Sequence, residues 1–102
     1  MDFLRVEEID FKVNLSIADI LKIVDEYGQE KGEEYEVDQD GILYNPVSEV
    51  TNEPVWEVPV IEVRLKEKYK YMDDPYIFLG ISDSRKKLAY VRTNLWRVAE
   101  IF

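Results

Sequence analysis

Val6-Glu7-Glu8-Ile9-Asp10-Phe11-Lys12-Val13 and Val58-Pro59-Val60-Ile61-Glu62-Val63-Arg64-Leu65 align at one fixed offset of 52 residues. Val6 meets Val58, Ile9 meets Ile61, Asp10 meets Glu62, Phe11 meets Val63, Lys12 meets Arg64 and Val13 meets Leu65. Six of the eight positions keep their chemical character, which predicts a chain built from two copies of one unit. Everything else in the sequence is read outward from this pair.

After the first stretch, Ile9, Phe11, Val13 and Leu15 alternate with Asp10, Lys12 and Asn14. Period two predicts a strand over 9–15. Ser16 fits a helix N-cap, with Asp19 three residues on as a capping-box partner. Ile17, Ile20, Leu21, Val24 and Tyr27 follow at helical spacing, so a helix is expected over about 17–30, stopped at Gly28 or Gly32. Tyr35 and Val37, the polar cluster Asp38–Gly41, and Ile42–Tyr44 read as a hairpin. Residues 47–54 are the connection to the second copy.

After the second stretch, Ile61, Val63, Leu65, Glu67, Tyr69 and Tyr71 alternate with Glu62, Arg64, Lys66, Lys68 and Lys70, the clearest strand signal in the chain. Pro59 has no amide hydrogen, which argues against deep pairing at its start. Asp73-Asp74-Pro75 resembles a helix entry, and Tyr76–Leu88 can supply a buried helical side weakened by Gly80. Tyr76–Ile81 and Leu88–Val91 can equally form a hairpin turning at Ser82–Arg85. The repeat favours the helix. Ala89–Val91 and Leu95–Ile101 predict a closing hairpin, with a terminal helix over 95–102 as the alternative. The fold class is then α+β: a tandem duplication of a β-α-β-β motif, about 1–48 and 53–102. Two antiparallel sheet and helix units would pack about a pseudo-two-fold axis in a single compact domain.

Composition narrows the chemistry. The chain has 102 residues with neither Cys nor His, which removes disulfides, thiol nucleophiles and the commonest general base and transition-metal ligand. No basic leader with an apolar core opens it, and no run nears the roughly 18 apolar residues of a membrane span, so a soluble intracellular protein is expected. Net charge is −9. Residues 1–51 hold 14 acids and 4 bases, and residues 52–102 hold 8 acids and 9 bases. The first half could therefore face a basic partner, or serve only as a solvated surface.

Candidate sites follow. Asp38-x-Asp40-Gly41 imitates a calcium loop but has Leu43 where the sharp turn needs Gly, so a plain turn is expected. Asp25, Glu26, Glu33, Glu34, Glu36, Asp38 and Asp40 could supply acid–base pairs for a hydrolase, but they lie in a polar stretch expected to be exposed. Arg64, Lys66, Lys68 and Lys70 beside Tyr69 and Tyr71 could suit single-stranded nucleic acid. The overall acidity opposes that and favours, as the mirror idea, an acidic nucleic-acid mimic. They could also be the internal complement of the acidic half. Tyr44, Trp56 and Trp96 are core candidates, but a seam between two copies would also use such aromatics to anchor a partner. We read Tyr44, Trp56, Arg64, Tyr69, Tyr71 and Trp96 as partner-binding, with no catalytic, cofactor or metal-ligating residues.

Abundant Glu, Lys, Tyr, Ile and Val, only two Gln, and no Cys or His match hyperthermophile usage. With its length and internal echo, the chain resembles the small orphan proteins of filamentous viruses of hyperthermophilic archaea, of the Acidianus filamentous virus type. The resemblance implies a virus-encoded accessory protein acting in the host cytoplasm. The expected function is non-enzymatic: binding a protein or peptide segment in a groove between the copies, as a monomer or homodimer.

Overall fold

Val55-Trp56-Glu57-Val58-Pro59-Val60-Ile61-Glu62 is the strand on which the sheet is built. In a computed structural model, residues 3–69, 76–93 and 97–102 are described. The chain forms β1 (Leu4–Arg5), α1 (Ile17–Lys31), β2 (Tyr35–Val37), β3 (Leu43–Asn45), β4 (Val55–Glu62), α2 (Lys66–Tyr69), β5 (Ile77–Ser82), β6 (Lys87–Arg92) and β7 (Val98–Ile101). The sheet order is β1-β3-β4-β5-β6-β7, with β2 also paired to β4, and every pairing is antiparallel. Residues 55–60 are all buried, because both faces of β4 are covered; such strands read as continuous apolar runs rather than alternations.

One face packs under α1. Ile20, Val24 and Tyr27 join Tyr44, Trp56, Val58, Leu79, Ile81 and Val91 in the main core. α1 forms as expected. Ser16 Oγ accepts the Asp19 N–H at 3.1 Å and Asp19 Oδ2 accepts the Ser16 N–H at 2.9 Å. Gly32 closes the helix in the left-handed conformation at φ 70°, where a side chain would be strained. On the other face, Val55, Ala89 and Tyr90 form a second cluster against Val50 and Val98. The loop 46–54 folds over it, held by Ser48 N–H to Glu53 O at 2.9 Å and Asn52 N–H to Ser48 O at 2.8 Å.

Several expectations are corrected. Residues 9–15 are not a strand. Ile9, Val13 and Leu15 do turn inward, but the Asn14 and Leu15 N–H groups donate to the Asp83 carboxylate rather than to a ladder. Alternation sets which side faces the core; it does not supply a partner strand. The long strand expected over 61–71 ends at Glu62, and Val63–Leu65 is a 3-10 turn leading into α2; its last two residues, 70 and 71, lie outside the described residues.

The hairpin over 35–44 is also absent. β2 and β3 run in the same direction, end to end along one edge of β4. Five residues, 38–42, lie opposite only Val58 and Pro59. The cause is Pro59. Its carbonyl accepts the Asp38 N–H at 3.0 Å, so its missing amide hydrogen faces this same edge and a continuous ladder is impossible there. Its β5 side keeps full pairing, which is why proline is tolerated in a central strand.

Residues 77–92 form the β5–β6 hairpin, not a helix; the rest of that prediction, Asp73-Asp74-Pro75, lies outside the described residues. The closing hairpin is present as β6–β7, though its turn residues 94–96 also lie outside. The two copies do not correspond. Residues 6–13 form a 3-10 turn and an irregular run with a bend at Phe11, while 58–65 pass through β4 into a 3-10 turn. The seam expected between copies is therefore not part of the described fold.

Candidate functional site

β2 has one edge on β4 and the other free of strands among the described residues. The Glu34 carbonyl accepts from Val63 and the Asp38 N–H donates to Pro59, so alternate residues 34, 36 and 38 face β4. The main-chain groups of Tyr35 and Val37 consequently point outward. β1 runs along β3 toward this position, from Leu4 opposite Tyr44 to Arg5 opposite Leu43. It then leaves the sheet in the 3-10 turn Val6–Glu8. The strand position beside β2 stays open.

Opposite this edge, Ile17, Leu21, Val24 and Gly28 make one stripe down α1. Between stripe and edge lies a trough of about 360 Å³, and a second hollow of about 410 Å³, bounded by Arg5, Val6, Glu7, Ile17 and the 39–42 turn, shares Gln39 with it. The floor of the trough is apolar, with Leu21, Val24, Tyr35 and Val37. Gly28 keeps the helix close: a Cβ there would stand 2.6 Å from the Glu33 carbonyl oxygen. The rims carry Glu7, Asp25, Glu33, Glu36 and Asp40, of which Glu33 and Glu36 are bridged by Arg64 and Lys66, and Arg5 lies beside Glu7. Burial first, and neighbouring groups including Glu62 and Glu33 next, push the Tyr35 phenol up to about 12. Calcium-like Asp38–Gly41 is a turn containing the 3-10 segment Gln39–Gly41.

The far face of the sheet carries a different constellation. Glu57, Gly80 and Tyr90 lie in one row across β4, β5 and β6. Because Gly80 has no side chain, the Tyr90 ring lies over it and its hydroxyl donates to Glu57 Oε1. Arg92 crosses beside it, over the Phe78 ring at 5.8 Å, and meets Glu57 Oε1 at 3.0 Å. Burial raises the Glu57 carboxyl above its ordinary range against the opposing effects of Tyr90 and Arg92. Burial and the Glu57 contact raise the Tyr90 phenol.

Of the six residues singled out from sequence, Tyr44, Trp56 and Arg64 have described side chains. Tyr44 and Trp56 sit opposite each other across β3 and β4, edge to face at 4.9 Å, and both are core, at 6% and 2% exposure. Neither presents its ring to a partner; Trp56 instead donates its indole N–H to Asp83. Arg64 is exposed but bridges Glu33 at 2.8 Å and Glu62 at 3.3 Å, while Lys66 bridges Glu36 at 2.7 Å. Arg64 and Lys66 thus pair with Glu33 and Glu36 of the acidic half. Tyr71, Trp96 and the Tyr69 side chain lie outside what is described. The trough and the Glu57 cluster were not singled out. The α1 stripe was visible in the spacing, and an acid inside an apolar run marked Glu57; their partners come from distant strands.

No protein-family model matches the chain, and no curated protein or solved structure does either.

Proposed function

We propose that this protein is a peptide-binding module that takes an extended, basic segment of another protein into the trough between α1 and β2. The segment adds a strand to β2. The observation that carries this is the open β2 edge, with outward main-chain groups at Tyr35 and Val37, an apolar floor and a carboxylate rim. Strand addition draws affinity from main-chain hydrogen bonds and specificity from alternate side chains. Here one side-chain set would meet Leu21 and Val24, and the other the acids. A second copy of the chain, itself carrying −9, is disfavoured by like charge. Direct nucleic-acid binding has less support, because Arg64 and Lys66 already bridge Glu33, Glu36 and Glu62. If the chain is the virus-encoded accessory protein it resembles, the partner is a host protein.

Fluorescence anisotropy with a peptide alternating Val and Lys, against the same peptide with Glu for Lys, tests this. Saturable binding of the basic peptide alone is expected. Val37→Pro removes an outward N–H while leaving the groups that face β4, so it should abolish binding with the fold intact. Failure of the basic peptide to bind, or unchanged binding to the Val37→Pro protein, would overturn the proposal.

A further inference from the structure

Away from α1, a pocket of about 310 Å³ opens over Glu57, lined among others by Phe3, Asn45, Ser48, Glu49, Tyr90 and Arg92. We propose that it binds a small carboxylate together with a proton, Glu57 taking the proton and releasing Arg92 to the ligand. The ion pair there is incomplete. Arg92 meets Glu57 through one nitrogen and one oxygen, while Glu57 Oε2 and Arg92 Nε are both buried without a hydrogen-bond partner among the described residues. A guanidinium is a planar fork suited to gripping a carboxylate with two parallel bonds, and this fork is half used. Buried ion pairs of such geometry recover little of their desolvation cost.

The surroundings accommodate both states of Glu57. A phenol can donate to a carboxylate or accept from a carboxylic acid. The Ser48 hydroxyl donates to the Tyr90 oxygen at 3.5 Å; when Glu57 holds the proton, this bond can reverse, Tyr90 turning its own hydrogen to Ser48 Oγ. Facing Glu57 are Tyr90 and Arg92 from β6, Gly80 and Phe78 from β5, Asn45 from β3, and Ser48 and Glu49 from the covering loop. Burial already favours its neutral form. The balance is closed: one proton passes from solvent to Glu57, one anion enters, and no covalent bond to carbon changes. Phe3 and Val50 at the wall suit a short aliphatic tail.

The probe is trifluoroacetate, which stays ionised throughout and is followed by its fluorine resonance, with chloride at equal ionic strength as control. In the intact protein, affinity should rise about tenfold for each pH unit of acidification until Glu57 is protonated. One proton should be taken up per anion. Glu57→Gln should bind at neutral pH without that pH dependence, and Arg92→Gln should not bind. A pH-independent affinity in the native protein, no proton uptake, or equal displacement by chloride would overturn the proposal. The proton-uptake measurement needs no variant, so it decides the matter even if Glu57→Gln does not fold.

Discussion

The Trp56 indole N–H donates to Asp83 Oδ1 at 2.9 Å, the same oxygen that takes the Leu15 N–H at 3.0 Å. One buried carboxylate at the β5–β6 turn therefore pins a core tryptophan and the chain entering α1. Asp83→Ala would strand these donors, and buried donors without partners cost about 1–3 kcal/mol each, with water recovering some. The expected loss is about 3 kcal/mol, read as a lower urea midpoint. Asp83→Asn, which keeps one acceptor oxygen, should lose less.

Gly80→Ala places a methyl group where the Tyr90 ring lies. Overpacking of this kind costs about 1–3 kcal/mol, and displacing the ring also breaks the Tyr90–Glu57 hydrogen bond. A lower melting temperature and an altered near-ultraviolet tyrosine signal are expected. Adding Tyr90→Leu to Gly80→Ala should restore part of the loss, because the two residues are in contact and their effects are not additive.

Glu57 sets a slope of stability against pH. Its carboxyl is raised in the folded protein, so between its ordinary range and the raised value the native state holds more protons than the unfolded chain. The contribution is full below the ordinary range and is lost as pH rises through the folded value. Asp19 and Glu53 are lowered, chiefly by hydrogen bonds to Ser16 and Ser82 respectively, and their contributions are lost as pH falls. Subtracting the Glu57→Gln profile from that of the native protein in denaturant melts isolates the first effect, which should decline with rising pH.

Peptide binding in the trough should weaken as sodium chloride is added, since the rim carboxylates act partly through screened charge. Asp25→Lys reverses one rim charge without removing a core side chain, Asp25 being exposed. A several-fold weaker affinity for the Val–Lys peptide is expected in anisotropy titrations, with an unchanged melting temperature.

Features with local causes were legible. The α1 start rests on Ser16 and Asp19 and its end on Gly32, all within one helical turn of what they cap. The β6–β7 hairpin likewise joins segments close in sequence. Alternation over 9–15 and 61–71 misled, because side-chain periodicity reports a buried face and says nothing of who pairs with the backbone. Gly80, which weakened the expected helix, is explained by Tyr90 across the sheet. Tyr44 and Trp56 were assigned to a seam whose existence depended on the echo between 6–13 and 58–65.

By itself, then, the sequence determined the capped amphipathic α1, the strand character of β2, β3, β6 and β7, and an acidic half set against a basic segment. These follow from periodicity, capping and charge, which act over a few residues or need no geometry. Only the tertiary structure decided that β2 and β3 share one edge of β4 around Pro59, that Asp83 rather than a ladder takes the N–H groups of Asn14 and Leu15, and that Tyr90 and Arg92 reach Glu57 across Gly80. Each of these joins groups far apart in the chain, and the competition among possible partners is resolved only when the whole sheet is assembled.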